Sequence, residues 1–210
     1  MALSRERIVG AAVDMLDDAG EGGLTFRALS ARLKTGPGAI YWHVANKEEL
    51  LDAAASRVLA DTTLVEVSDP ADAIRAIALG LFDAIDEHPW LGAQLSHGPW
   101  RSLTLRILER LGQQIQALGV PEEAQFTSAS ALLIHILGAA RQNAANARDQ
   151  PPGADRTAVL EAEAAHWRNL DPHEYPFLQA IAGQLRDHDD RAQFLAGVDL
   201  VLNGITGPHK

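Results

Sequence analysis

No cysteine occurs in the 210 residues of this chain. That excludes a disulfide framework, a thiolate-ligated metal or cluster, and a thiol nucleophile. Long apolar runs are missing too. No stretch approaches the roughly 20 residues that cross a bilayer, and MALSRERIVGAA at the start lacks the apolar core of a secretory signal. The expectation is a cytoplasmic protein with no membrane contact. Strand signals are nearly absent: β-branched residues are scattered and no sustained polar–apolar alternation appears. An excess of positive charge is also lacking. The formal net charge is -10, which argues against phosphate binding over the whole surface. The acidity is unevenly placed, however. Residues 1–60 carry seven Lys+Arg against eight Asp+Glu, and residues 61–210 carry eleven against twenty. A nearly neutral N-terminal part can still present Arg5, Arg27, Lys34 and Lys47 on one face.

What the chain does have is helical periodicity throughout, which predicts an all-α fold. Ile8, Ala12, Met15, Leu16 and Ala19 fall on one face of a first helix that starts after Ser4 and ends at GEGG, residues 20–23. Thr25 is placed to cap a short helix to Leu33. Lys34-Thr35-Gly36 breaks it, and Pro37 suits the first turn of the next short helix. Asn46, with Glu49 three residues on, has capping-box spacing for a fourth helix over 47–60. Two short helices joined by a tight turn form the helix-turn-helix arrangement. This predicts a DNA-binding domain over 1–60 and a larger helical domain over 61–210.

In the larger part, Asp69-Pro70 starts a helix that Pro89 ends. Short and longer helices are expected at 90–96, 100–118 and 122–148. DQPPGAD, residues 149–155, reads as a loop. Asp171-Pro172-His173-Glu174 reads as another helix start, and a last helix begins near Asp190.

Eight histidines invite a metal reading. The sequence holds no HExxH and no histidine pair at four-residue spacing, so no metal site is expected, and no other cofactor. His43 lacks an oriented partner for general-base work; Asp52 is no obvious candidate.

The stretches LTFRALSARL (24–33) and IYWHVANKEELLDA (40–53) resemble the TetR family of ligand-responsive transcriptional repressors. LDPHEYPFLQAI (170–181) and RAQFLAGVDLVLNGI (191–205) look like the end of that family's ligand domain. The resemblance implies roles in contact with a double-stranded operator. Thr25 and Arg27 would hold phosphates. Pro37, Gly38 and Ala39 would enter the major groove. Tyr41, Trp42 and His43 would touch phosphates and base methyls, and Lys47 would pair with a phosphate. Surface packing is the alternative for Tyr41 and Trp42, and a solvated charge for Lys47. Two departures stand out. Lys34 occupies a turn position where the family commonly has glycine. Pro37, Gly38 and Ala39 offer no side-chain hydrogen bonds, so readout leans on Tyr41, Trp42, His43 and DNA shape.

The resemblance also implies a small-molecule effector. Candidate pocket residues are Phe82, Trp90, His97, Trp100, Leu108, His135, Gln142 and Trp167; core packing is the alternative for each. The helices over 122–148 and 190–205 would pair with those of a second copy. In that homodimer the stripe Phe194, Val198, Val201, Leu202 and Ile205 would form the interface. Burying five such side chains contributes on the order of 10 kcal/mol before entropy; packing within one chain would satisfy them equally. The implied function is repression of a palindromic operator, relieved by an inducer. The alternatives are a corepressor-type regulator and an all-α enzyme using His97 or His135 as a base, which would leave residues 40–53 unexplained.

Overall fold

The computed structural model describes residues 3–60, 67–96, 102–149 and 155–207. Among them every regular element is helical. The N-terminal part comprises α1 (Arg5–Gly23), α2 (Phe26–Leu33), α3 (Pro37–Tyr41) and α4 (Lys47–Val58). The rest comprises α5 (Pro70–Glu87), α6 (Trp90–Ser96), α7 (Ser102–Ala117), α8 (Glu122–Asp149), α9 (Arg156–Arg168), α10 (Pro176–Ile181), a 3-10 turn (Ala182–Leu185) and α11 (Asp190–Thr206).

The boundaries have local causes. Side-chain oxygens of Ser4, Thr25, Asn46, Asp69 and Asp189 each accept the amide N–H two or three residues into their helices, satisfying a donor that has no helical partner. The Asn46 cap is reciprocal. Its Oδ1 accepts from Glu49 N at 2.8 Å, and Glu49 Oε2 accepts from Ala45 N at 2.8 Å. The Ala45 N–H, followed by the Arg5 guanidinium, holds the Glu49 carboxyl below the usual carboxylate range. Gly20 (φ 64°, ψ -171°) kinks α1 one turn before its end, a conformation that side chains disfavour.

Residues from both parts share one continuous core. Ile8, Leu16, Leu29, Ile40 and Leu50 fill it at the N-terminal end, and Ile74, Leu81, Ile107, Leu132 and Val198 fill it at the other. Helices α5, α7, α8 and α11 pack side by side, while α6 bridges to α1 and α4.

Two expectations need correction, and one unassigned stretch needs filling in. The stripe assigned to the dimer interface lies inside the chain: Phe194, Val198, Leu202 and Ile205 are buried against α5 and α8, and half-buried Val201 packs on the same core. The face of α11 left outward carries Leu200, 75% exposed, and α8 likewise turns out Ile134, 71% exposed. Second, α9 fills a stretch to which no element had been assigned, capped by Asp155, whose side chain accepts from Thr157 N. Its sequence is rich in Ala and Glu, and Ala164 is its buried residue, so it carries little apolar periodicity. Third, Asp171–Glu174 is a turn, closed by Glu174 N–H donating to Asp171 O, and α10 starts later with Pro176 in its first turn. Residues 150–154 of the expected loop lie outside the described residues.

Candidate nucleic-acid interface and the cavity behind it

Helices α2 and α3 are joined by one left-handed residue. Lys34 has φ 52° and ψ 48°, so the turn that most readily takes glycine is made at a cost of about 1 kcal/mol. The turn is closed by Lys34 N–H to Ala31 O and Thr35 N–H to Ser30 O. Leu29, Ile40 and Val44 are buried in the common core, and α2 packs on both α1 and α3. This packing leaves Pro37 and Gly38 exposed and Ala39 half-buried at the start of α3.

At the end of α3, Tyr41 stacks flat on Phe26, with ring centroids 4.6 Å apart and planes 3° apart. The stack fixes the Tyr41 ring while leaving the residue 55% exposed. Trp42 is 90% exposed. An indole left this wet gains nothing from packing within the chain, which removes the packing alternative for Trp42. His43 is half-buried and has no carboxylate partner among the described residues.

The cations around this face divide into two groups. Arg5 is paired with Glu49 at 3.0 Å, and Arg32 with Asp18 and Asp14 at 2.9 and 3.5 Å. Lys47 donates to the Glu21 carbonyl at 2.8 Å and lies 3.6 Å from its carboxylate. Exposed Arg27 and Lys34 make no ion pair among the described residues. Of the four cations expected on one face, these two stand free there, and Lys47 is engaged at the end of α1. Thr25 is exposed but spends its hydroxyl oxygen on the Ala28 N–H.

Glu21 and Asp17 tie this part to the larger one. Asp17 Oδ1 meets both Trp90 Nε1 and His88 Nδ1 at 2.7 Å, and Gln94 Nε2 donates to Glu21 Oε2 at 3.1 Å. Sequence reading missed these ties, because acidic residues on α1 look like solvated charge until α6 is placed beside them.

A cavity of about 430 Å³ opens between α5, α8 and α11. It brings together three of the expected pocket residues, Phe82, His135 and Gln142, and adds Phe194 from the stripe assigned elsewhere. Phe82 and Phe194 have ring centroids 4.6 Å apart, and the His135 ring lies nearly parallel to Phe194 at 6.1 Å. His135 Nε2 is buried with no hydrogen-bond partner. Its place depends on Gly197, where a Cβ would come within 2.5 Å of that nitrogen. The cavity is also lined by the amides Asn143, Asn146 and Gln193 with His188 and Asp190. The inward spacing of Gln142, Asn143 and Asn146 along α8 was a signal available in the sequence.

The remaining expected pocket residues lie elsewhere. Trp90 is buried in the seam with α1, where its indole N–H is already satisfied. Leu108 borders a separate groove between α7 and α8. Trp167 belongs to α9 and donates to Glu163 one turn back. His97 and Trp100 lie outside the described residues. Among the described residues no helix is long and apolar enough to cross a membrane.

Comparison with known proteins agrees with this geometry. A family model described as "Bacterial regulatory proteins, tetR family" matches residues 8–54, and one described as "Tetracyclin repressor-like, C-terminal domain" matches residues 68–207. A solved TetR regulator of Streptomyces coelicolor, SCO7222, is 55% identical over 100% of both chains, with a TM-score of 0.89. An HTH-type transcriptional regulator of Saccharopolyspora erythraea is 30% identical over 92% of this chain and 83% of its own length. The class D tetracycline repressor protein of Escherichia coli is 45% identical over 58 residues, which are 28% of this chain and 27% of its own.

Proposed function

The chain belongs to the TetR family of DNA-binding transcriptional regulators, and from that premise we propose that it is a homodimeric repressor released from a palindromic operator by a small molecule. The division of labour falls near residue 60. Helices α1–α4 read DNA in the bacterial cytoplasm, and α5–α11 bind the effector and the second copy.

The observation that carries the DNA half is the exposed rim of α3. Trp42 is 90% exposed, Tyr41 is stacked on Phe26, the sequence neighbour of Arg27, and exposed Arg27 and Lys34 make no ion pair among the described residues. Arginine and lysine neutralise phosphates, and the aromatics cover sugar and base-methyl surface. Thr25, Pro37, Gly38, Ala39 and His43 line the approach. One helix-turn-helix reads too few base pairs alone; two, about 34 Å apart, read half-sites on one face of the duplex. For the second copy, exposed Leu200 on α11 and Ile134 on α8 supply the unpartnered apolar face.

The effector occupies the cavity that Phe82, His135, Gln142 and Phe194 line. It releases DNA only by binding more tightly to a dimer whose recognition helices are wrongly spaced. A hundredfold release needs a coupling of about 2.7 kcal/mol. The bonds from Asp17 to Trp90 and from Glu21 to Gln94 and Lys47 connect the cavity part to α1 and α4.

Salt titration tests the phosphate assignments. Arg27→Ala and Lys47→Ala should each weaken binding to every duplex and lower the log–log salt slope by about 1. An unchanged slope in both variants would remove this face from the DNA interface.

A further inference from the structure

The effector cavity continues into a second hollow of about 400 Å³, with which it shares Phe82, Asn143, His188 and Asp190. The two ends of the joined cleft differ in chemistry. One is the ring ladder of Phe82, Phe194 and His135. The other is acidic, bringing Asp83, Asp86, Asp189 and Asp190 together against two guanidiniums, Arg156 and Arg191.

The carboxylates are not equally occupied. Asp83 takes both bonds of the Arg191 fork, at 3.0 and 3.1 Å. Asp190 meets Arg156 and lies 3.0 Å from His188 Nε2. Asp189 caps α11. Asp86 accepts an amide N–H from Asn143 at 3.1 Å and, although Arg156 and Arg191 line the same hollow, makes no ion pair among the described residues. A carboxylate beside aromatic faces repels an anion and attracts an ammonium group, whose charge the ring faces also favour.

We infer that the joined cleft takes an aromatic compound bearing a protonated amine, with its ring system on the Phe82–Phe194–His135 ladder and its ammonium group at Asp86. This deepens the effector reading above and rests on it. Asp86 supplies the charge preference. Gly197 supplies the shape, because it lets the His135 ring withdraw from the cavity.

Calorimetric titration of the full chain, without DNA and at low salt, tests this with three probes of one shape: 1-naphthylmethylammonium, 1-naphthalenemethanol and 1-naphthoate. The cation should bind at least about tenfold more tightly than the carboxylate, with the alcohol between them. Asp86→Asn keeps the bond to Asn143 and should erase most of that preference. Gly197→Ala should push His135 into the cavity and weaken all three probes alike, leaving their order unchanged. A carboxylate that binds as tightly as the ammonium overturns the charge assignment while leaving the cavity as the effector site. Binding unaffected by Gly197→Ala overturns the placement in this cleft. Binding of none of the three overturns the inference together with the effector reading of the cavity.

Discussion

Phe194→Ala is expected to lower stability by about 3–5 kcal/mol, the cost of deleting a buried aromatic whose site cannot collapse around the gap. Phe194 is 4% exposed, packs at a tilt of 31° against Phe82 and lies nearly parallel to the His135 ring. Its removal forfeits buried apolar area and enlarges a cavity that already exists beside it. In a chain of this size the loss should appear as a fall in melting temperature of about 6–20 °C. The fall should be the same at every protein concentration, because the ring packs within one chain. A loss confined to low concentration would return Phe194 to the interface between copies.

The second large effect belongs to the outward part of the same helix, where exposed Leu200 also stands at the wall of the cavity. Leu200→Asp should leave the isolated fold nearly unchanged, within about 0.5 kcal/mol, because the side chain is wet in one copy. Burying a leucine contributes about 1.5–3 kcal/mol, and a two-fold interface counts it twice. Paired buried aspartates add repulsion and desolvation. Dimer dissociation should therefore rise by more than about a hundredfold, and sedimentation should show monomer at concentrations where the parent chain is dimeric. Operator binding should fall with it. A variant that stays dimeric would move the interface away from Leu200.

The contrast between these residues shows where the sequence was legible. Period and capping reach only a few residues along the chain, so Thr25, Asn46 and Asp69 marked their helix starts. The motif over residues 40–53 marked the recognition helix. The same period could say that Phe194, Val198, Leu202 and Ile205 share a face, but not what covers it. The cover comes from α8 and from α5, an element more distant still in the sequence. The cavity was legible only in part for the same reason: Phe82, His135 and Gln142 were expected in it, Phe194 was not. Phe82, His135, Gln142 and Phe194 meet only after three helices pack, and Trp90 was drawn off by a single bond to Asp17. Helix α9 was missed because alanine and glutamate favour helix without leaving an apolar stripe. Lys34 is a further case. Its left-handed backbone is imposed by Leu29, Ile40 and Val44 on either side of the turn and overrides its own preference.

Selection of duplexes from a random pool, by the purified chain without added ligand, tests the central claim most directly. The account predicts enrichment of an inverted repeat whose half-sites lie about one helical turn apart, with enrichment lost in Trp42→Ala combined with Arg27→Ala. Recovery of an unrepeated site, or of no sequence at all at low salt, would contradict a dimeric repressor that reads DNA through α3.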